Sequence, residues 1–209
     1  MTEERRARAE GFRLVAGVDE VGRGCLAGPV CAGAVLLDPE SPILGLNDSK
    51  RLAPEVRADL AAVVRRKAIA AGLGWSSPAE IDCCGIAEAT RLAMLRALAE
   101  LAGRGLRADL VLVDGHPVPG GLGPPQRAFV GGDGRVAAIA AASVLAKVAR
   151  DARMESEDRL RPWYGFAAHK GYGTPEHLRA LRRHGPSVVH RLSFAGVLPA
   201  GPARPRRAA

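Results

Sequence analysis

Two apolar segments of strand length each end in a carboxylate, and this pattern restricts the possible folds more than any other feature. The segment Phe12–Asp19 continues into Glu20, and Asp109–Asp114 continues into a glycine. A carboxylate that follows an apolar strand lies at the rim of a sheet, where open α/β sheets place their ligand sites. Side chains alternate along a regular strand, so Asp19 and Glu20 share one site only if the strand ends or bulges there. A carboxylate that simply caps a turn is the alternative for each residue.

The order of the predicted elements indicates an α/β fold with a mixed sheet. Periodicity and turn signals predict strands at 12–19, 29–37, 72–76, 109–114 and 128–130, with the first two forming an antiparallel pair. Helices are predicted at 54–71, 86–102, 136–154 and 174–184. Aromatic residues make up only 4% of the chain, so the core is expected to consist mainly of Ala, Val, Leu and Ile.

The charge balance favours an anionic partner. The chain has 30 basic and 22 acidic residues, a formal net charge of +8. Residues 161–191 contain six basic residues and one acidic residue, so this segment is expected to attract a phosphate backbone. The four cysteines have no zinc-site spacing, and the N-terminus lacks the apolar stretch of a signal peptide. No apolar run is long enough to span a bilayer, so we expect a cytoplasmic protein that does not contact membranes.

Three further patterns are candidate functional features. Ser143, Lys147 and Asp151 follow one another at intervals of four residues, so they share one helix face, which could equally be a solvated face. The turn Gly22–Gly24 has the sequence Gly-Arg-Gly, which allows the backbone to approach an anion closely. The segment 169–174 places a Lys and a Tyr beside two glycines, either as a nucleic-acid contact or as a simple turn before a helix.

These features together favour metal-assisted phosphodiester hydrolysis. Carboxylate ligands with few histidines suit Mg²⁺ or Mn²⁺ better than Zn²⁺. The chain contains no Walker loop, no dinucleotide-binding glycine pattern and no nucleophile elbow.

Several ordered motifs resemble bacterial ribonuclease HII. They are Val18–Gly24, Leu26–Val30, Asn47–Lys50, Val113–Gly115, Ala141–Asp151, Tyr164–Thr174 and His190–Phe194. The match extends from about residue 13 to residue 195. One position departs from the family, because Gly173 stands where the family commonly has Pro.

The resemblance implies an RNase H-like fold, a mixed five-stranded sheet flanked by helices, with a helical C-terminal portion at about 161–195. It implies a catalytic domain over 13–198. From their composition, the charged N-terminus at 1–12 is expected to be flexible and the Pro/Arg tail at 199–209 to be disordered. The implied enzyme is a ribonuclease H of type 2. It hydrolyses the RNA strand of RNA–DNA hybrids and nicks duplex DNA 5′ to embedded ribonucleotides, leaving 5′-phosphate and 3′-hydroxyl ends.

The family's metal ligands correspond to four acidic residues, which would hold two Mg²⁺ or Mn²⁺ ions: Asp19, Glu20, Asp114 and Asp151. Its ribonucleotide-contacting motif corresponds to Gly22, Arg23 and Gly24, and its junction-reading tyrosine to Tyr172. Further candidate phosphate contacts are Lys50, Ser143, Lys147, His169 and Lys170. A monomer is expected, and contact with a sliding clamp is possible. The alternatives are a basic nucleic-acid-binding module without catalysis and another two-metal nuclease, such as a junction resolvase.

Overall fold

A five-stranded mixed sheet in the order β3-β2-β1-β4-β5 forms the centre of the protein. The computed structural model describes residues 3–38, 40–46 and 52–198. The strands are β1 Val15–Val21, β2 Val30–Leu36, β3 Ala70–Ser76, β4 Leu110–Asp114 and β5 Gln126–Phe129. The pairs β1–β2 and β2–β3 are antiparallel, whereas β1–β4 and β4–β5 are parallel. The predicted α/β class, mixed sheet and first antiparallel pair are therefore confirmed.

Helices cover both faces of the sheet. They are α1 Glu3–Ala9, α2 Pro54–Lys67, α3 Pro78–Ala102, α4 Ala137–Leu160, α5 Phe166–His169 and α6 Pro175–His184. Helix α3 packs on one face through small and aliphatic side chains, and α2 and α4 pack on the other. Aliphatic residues dominate these core clusters, as the low aromatic content predicts.

Helix α4 lies against β1 at backbone distance. A Cβ atom on Gly17 would come within 2.1 Å of the main chain of Ala138, so only glycine permits this approach. The close packing brings the N-terminal half of α4 directly under the carboxyl end of β1. The helix therefore supports the edge of the sheet where the acidic residues lie.

Helix α3 extends further toward the N-terminus than its apolar periodicity predicts. Ser77 and Glu80 form a reciprocal capping box that starts the helix, and Gly85 interrupts it with a φ of 79°. The helix predicted at 86–102 corresponds to the part of this kinked helix that follows Gly85.

The N-terminal segment differs from the expected flexible arm. Residues Glu3–Ala9 form α1, in which Glu4 and Ala7 are buried. The Glu4 carboxylate accepts a hydrogen bond of 2.8 Å from the backbone N–H of Ala138, at the start of α4. A helix N-terminus stabilises a carboxylate there, so this contact holds α1 against the start of α4.

The C-terminal portion is helical, as the resemblance implies. It contains a 3₁₀ turn at Pro162–Tyr164, the short helix α5 and helix α6. Its small core includes Tyr164 and Phe166, which pack against Met154 of α4. The expected Pro/Arg tail lies outside the described residues. None of the helices in the described ranges is long and apolar enough to cross a bilayer.

Candidate active site

The parallel pairing of β1 and β4 brings two predicted carboxylates together. Val18 is opposite Val113, so Asp19 and Asp114 occupy the next positions at the carboxyl ends of neighbouring strands. Asp19 is buried, and Asp114 is half-buried. Both residues thus lie at the rim of the sheet, as their positions after apolar strands predict.

A third carboxylate, Asp133, completes the cluster. It lies in the 3₁₀ turn Gly132–Gly134, immediately before α4. The backbone N–H of Gly132 donates a 2.7 Å hydrogen bond to Asp114 Oδ1, which fixes this turn against β4. One carboxylate oxygen from each of Asp19, Asp114 and Asp133 lies within 4.8 Å of the others. Three converging hard oxygen donors form a suitable site for a divalent cation such as Mg²⁺ or Mn²⁺.

The electrostatics of the cluster agree with cation binding. Burial, together with the charges of Glu20 and Asp114, raises the pKa of Asp19 to about 8. Hydrogen bonds from the Ser143 side chain and from the backbone N–H of Glu20 partly oppose this rise. Carboxylates held this close together repel one another, and a bound cation relieves the repulsion and restores the ionised form.

Glu20 approaches the same edge from the opposite face of the sheet. Strand β1 stays regular through Val21, so Asp19 faces α4 whereas Glu20 faces α3. Glu20 lines a cleft of about 450 Å³ between the strand ends and α3, together with Arg23 and Asp114. Burial raises the pKa of Glu20, and the neighbouring Arg23 guanidinium, 3.3 Å away, opposes the rise.

The face of α4 predicted to carry Ser143, Lys147 and Asp151 divides into two parts. Ser143 hydrogen-bonds to Asp19 and so belongs to the carboxylate cluster. Asp151, two turns further along, accepts a 2.8 Å hydrogen bond from Lys147 and lies 3.5 Å from the Arg57 guanidinium. Among the described residues, Asp151 lies outside the three-carboxylate group, and basic side chains bind its oxygens. The geometry therefore favours Asp133 over Asp151 as a candidate ligand, and a metal-binding role of Asp151 stays a prediction from the sequence.

The Gly22–Gly24 turn follows β1 directly and borders the cleft. Gly22 is buried with a φ of 92°, and a Cβ atom there would lie 2.1 Å from Arg150 Nε. Arg23 and Gly24 are exposed, and a Cβ atom on Gly24 would meet nothing within 4 Å. Packing against Arg150 requires glycine at position 22, whereas the space beside position 24 can admit a ligand.

The residues of the 169–172 loop have different roles in the structure. Both ring nitrogens of His169 bond to the main chain, Nε2 to the Tyr164 carbonyl and Nδ1 to the Gly171 N–H, so neither is left for a phosphate. The Lys170 ammonium forms an ion pair of 2.5 Å with Glu155. Tyr172 is 41% exposed and hydrogen-bonds to the buried Cys25, which leaves much of its ring accessible. Lys50 lies outside the described residues.

Sequence reasoning missed Asp133 because no long apolar strand precedes it. Its context is Gly-Gly-Asp-Gly, between the four-residue strand β5 and α4. The signal was present in a weaker form, since Asp133 also is an acid that follows a strand and a glycine turn. Its proximity to Asp114 depends on the parallel β4–β5 pairing, which the sequence alone does not specify.

The sequence is similar to proteins of one known family. The family model described as Ribonuclease HII matches residues 16–197. A ribonuclease HII of Moorella thermoacetica is 54% identical over 191 residues, covering 91% of this chain and 91% of that protein. A ribonuclease HII of Solibacter usitatus is 53% identical over 196 residues, covering 94% of this chain and 84% of that protein.

Solved structures share the fold. Ribonuclease H2 of Pyrococcus horikoshii has a TM-score of 0.76 at 24% identity, covering 88% of this chain and 95% of that chain. The Archaeoglobus fulgidus RNase HII, solved in complex with PCNA, has a TM-score of 0.73 at 25% identity, covering 87% and 95%. A Bst-RNase HIII, solved in complex with Mn²⁺, has a TM-score of 0.71 at 18% identity, covering 91% and 70%.

Proposed function

The chain belongs to the ribonuclease HII family, and from this premise we propose that it nicks duplex DNA 5′ to embedded ribonucleotides by two-metal-ion catalysis. It is a ribonuclease H of type 2, an endonuclease that degrades the RNA of RNA–DNA hybrids. The proposal rests on the convergence of three carboxylates, two of them buried. Asp19 and Asp114 lie at the ends of β1 and β4, and Asp133 lies in the 3₁₀ turn before α4.

Asp19, Asp114 and Asp133 would hold the divalent ions, and Glu20 adds a fourth carboxylate from the other side of β1. The Mn²⁺ complex of the related Bst-RNase HIII supports a divalent-ion site of this kind, and we propose Mg²⁺ or Mn²⁺ here. When bound, the ions supply an activated water and charge stabilisation for the leaving 3′-oxygen. The hydroxyl of Ser143 holds Asp19 in place, and the cleft beside Glu20 would admit the scissile strand.

Recognition of a ribonucleotide requires contact with its 2′-hydroxyl, which DNA lacks. We propose that the exposed backbone of Arg23 and Gly24 makes this contact, because it borders the cleft at the end of β1. The exposed ring of Tyr172 would pack against the neighbouring deoxyribose, where an additional hydroxyl fits poorly. This pair of contacts would select a junction between RNA and DNA rather than a base sequence.

Among the remaining sequence predictions, Lys147 and Lys170 stay proposed phosphate contacts whose ion pairs with Asp151 and Glu155 would have to exchange for phosphate. Lys50 also stays a prediction. The clamp complex of the A. fulgidus relative supports a possible clamp contact here. The cytoplasmic location and the monomeric state stay predictions from the sequence.

The test is incubation of a DNA duplex that contains one ribonucleotide with the protein and Mg²⁺ or Mn²⁺. We expect a single nick 5′ to the ribonucleotide, with 5′-phosphate and 3′-hydroxyl ends, and no nick in the presence of EDTA. Cleavage of a four-way junction instead would favour a resolvase. Tight binding without any metal-dependent cleavage would favour a non-catalytic nucleic-acid-binding module.

A further inference from the structure

Two fully buried arginines, Arg150 and Arg191, lie beneath the Gly22–Gly24 turn. Arg150 donates hydrogen bonds to the carbonyls of Ala27, Pro29 and Lys170, at 3.0–3.2 Å. Neither guanidinium forms an ion pair with a carboxylate among the described residues. Main-chain carbonyl oxygens alone accept their hydrogen bonds, which is an unusual use of two buried charges.

Arg191 binds the turn itself. Its Nη2 donates to the Gly22 carbonyl at 2.6 Å, its Nη1 to the Arg23 carbonyl at 2.8 Å, and its Nε to the Gly28 carbonyl at 3.0 Å. Arg150 packs against Gly22 from another direction, where a Cβ atom would lie 2.1 Å from its Nε. The turn is therefore fixed from below by a planar fork of donors whose geometry admits only one arrangement of the carbonyls.

The direction of these carbonyls determines the direction of the neighbouring N–H groups. A trans peptide is planar, so its C=O and its N–H point in opposite directions, and the structure has no cis peptide among the described residues. The Gly22 and Arg23 carbonyls point inward to the guanidinium, so the N–H groups of Arg23 and Gly24 point away from it. Neither N–H has an acceptor in the described part of the chain, and both residues are exposed.

The buried charge also strengthens these donors. A carbonyl that accepts a hydrogen bond from a cation polarises its peptide group, and the N–H of that peptide becomes a better donor. Burial lowers the pKa of Arg191 to about 10, so the guanidinium stays charged at neutral pH.

We propose that Arg191 is a positioning residue for ribonucleotide selection, because it directs the N–H groups of Arg23 and Gly24 outward to donate to the ribonucleotide. The inference rests on the proposed function, which places the ribonucleotide at this turn. Arg191 itself does not touch the substrate. Arg191 lies 168 residues after Arg23 in sequence, so a residue of the C-terminal segment affects ribonucleotide selection at the active site.

The test compares binding of two duplexes that differ only in one ribonucleotide, using the cleavage-impaired Asp114→Asn protein as the background. We expect the background to prefer the ribonucleotide duplex. Adding Arg191→Lys keeps the charge but removes the fork, and should reduce the ratio of the two affinities on the order of tenfold while affinity for the all-DNA duplex is retained.

The matched control is Tyr164→Phe, which removes a buried hydrogen bond of 2.7 Å to the Gly185 carbonyl in the same C-terminal portion. It should lower Tm without changing the affinity ratio. A ratio for Arg191→Lys that equals that of the control would overturn the proposal. A background protein without any preference, together with wild-type protein that does not nick, would instead contradict the proposed function.

A second measurement avoids substitution of Arg191 altogether. Amide exchange at Arg23 and Gly24, followed by NMR, should be fast in the free Asp114→Asn protein and slow when the ribonucleotide duplex binds. The all-DNA duplex should protect these two amides much less. Equal protection by both duplexes, or none by either, would contradict the role assigned to the turn.

Discussion

At the scale of single residues, the two glycines of the Gly-Arg-Gly turn are required for different reasons. Gly22 has a positive φ and no space for a Cβ atom, whereas Gly24 has open space around it. Gly22→Ala should destabilise the protein by about 2 kcal/mol or more, since it adds left-handed strain to a clash with Arg150. Gly24→Ala should leave Tm unchanged and reduce cleavage at a single ribonucleotide. Thermal unfolding and nicking rates of both variants distinguish these outcomes, and equal losses of Tm would contradict the distinction.

Asp19 is expected to link metal binding to pH. Its pKa of about 8 without metal means that the carboxyl is protonated at neutral pH and must lose its proton when a cation binds. Affinity for Mn²⁺ should therefore rise up to about tenfold per pH unit below pH 8 and then level off. Calorimetry at several pH values in buffers of different ionisation enthalpy measures both the affinity and the released proton. An affinity that does not change between pH 6 and pH 8 would contradict the release of a proton from Asp19 on metal binding.

At the scale of elements, two histidines join α6 to the segment that carries Arg191. Ser187 N–H donates to His190 Nδ1 at 2.9 Å, so the proton of His190 lies on Nε2 and is donated to His177 Nε2 at 3.0 Å. His177 Nδ1 then donates to the Tyr172 carbonyl at 2.8 Å. The chain of donors is complete only when both rings are neutral. Burial lowers the pKa of His177, and burial together with His177 lowers that of His190 to about 4.

The pair should make the protein less stable in mild acid. Because the folded pKa of His190 is lowered, the unfolded state binds more protons between about pH 6.5 and pH 4, and stability is lost as pH falls through this range. Wild-type protein should lose about 2 kcal/mol from His190 across this window. Comparison with His190→Asn by chemical unfolding at pH 7.5 and pH 4.5 cancels the titrating groups outside this histidine pair, and the exposed His184→Asn is the control. Parallel pH profiles for wild type and His190→Asn would contradict the expectation.

Some features of the helices and strands follow from local sequence, whereas others depend on residues distant in the chain. Apolar runs and turn signals predicted the strands, the paired carboxylates Asp19 and Asp114, and the helix that carries Ser143. Asp133 and the buried arginines could not be found this way, because their roles depend on partners remote in sequence. The carbonyls bound by Arg191 lie more than 160 residues away, and no local pattern distinguishes this arginine from the exposed ones nearby.

At the scale of the whole molecule, the excess positive charge remains concentrated in the C-terminal portion. Within it, Arg182 and Arg183 lie in the last turn of α6 and are exposed, whereas Arg179 forms an ion pair with Glu176 and Arg191 is buried. The segment thus divides its basic residues between attraction of phosphate and support of the active-site turn.

Replacing Arg182 and Arg183 with Gln should weaken binding of every duplex. It should also reduce the slope of log affinity against log salt concentration by about one for each phosphate that the variant no longer neutralises. Cleavage of bound substrate should be retained, because these residues lie outside the carboxylate cluster. The control replaces Arg65 and Arg66, which are also exposed but lie on α2. Measuring duplex affinity across a range of salt concentrations tests this prediction. Equal salt-dependence slopes for the α6 variant and the α2 variant would refute a specific role for α6.

The central claim is that Asp19, Asp114 and Asp133 together hold the metal that cleaves at a ribonucleotide. The most direct measurement compares Asp133→Asn with Asp151→Asn, by nicking of a single-ribonucleotide duplex in Mn²⁺. We predict that Asp133→Asn reduces the nicking rate by at least about a hundredfold, because replacing even a residue that only hydrogen-bonds to a metal ligand can reduce activity by up to about a hundredfold. We predict that Asp151→Asn retains most of the activity. Near-normal nicking by Asp133→Asn together with loss of nicking by Asp151→Asn would contradict the account.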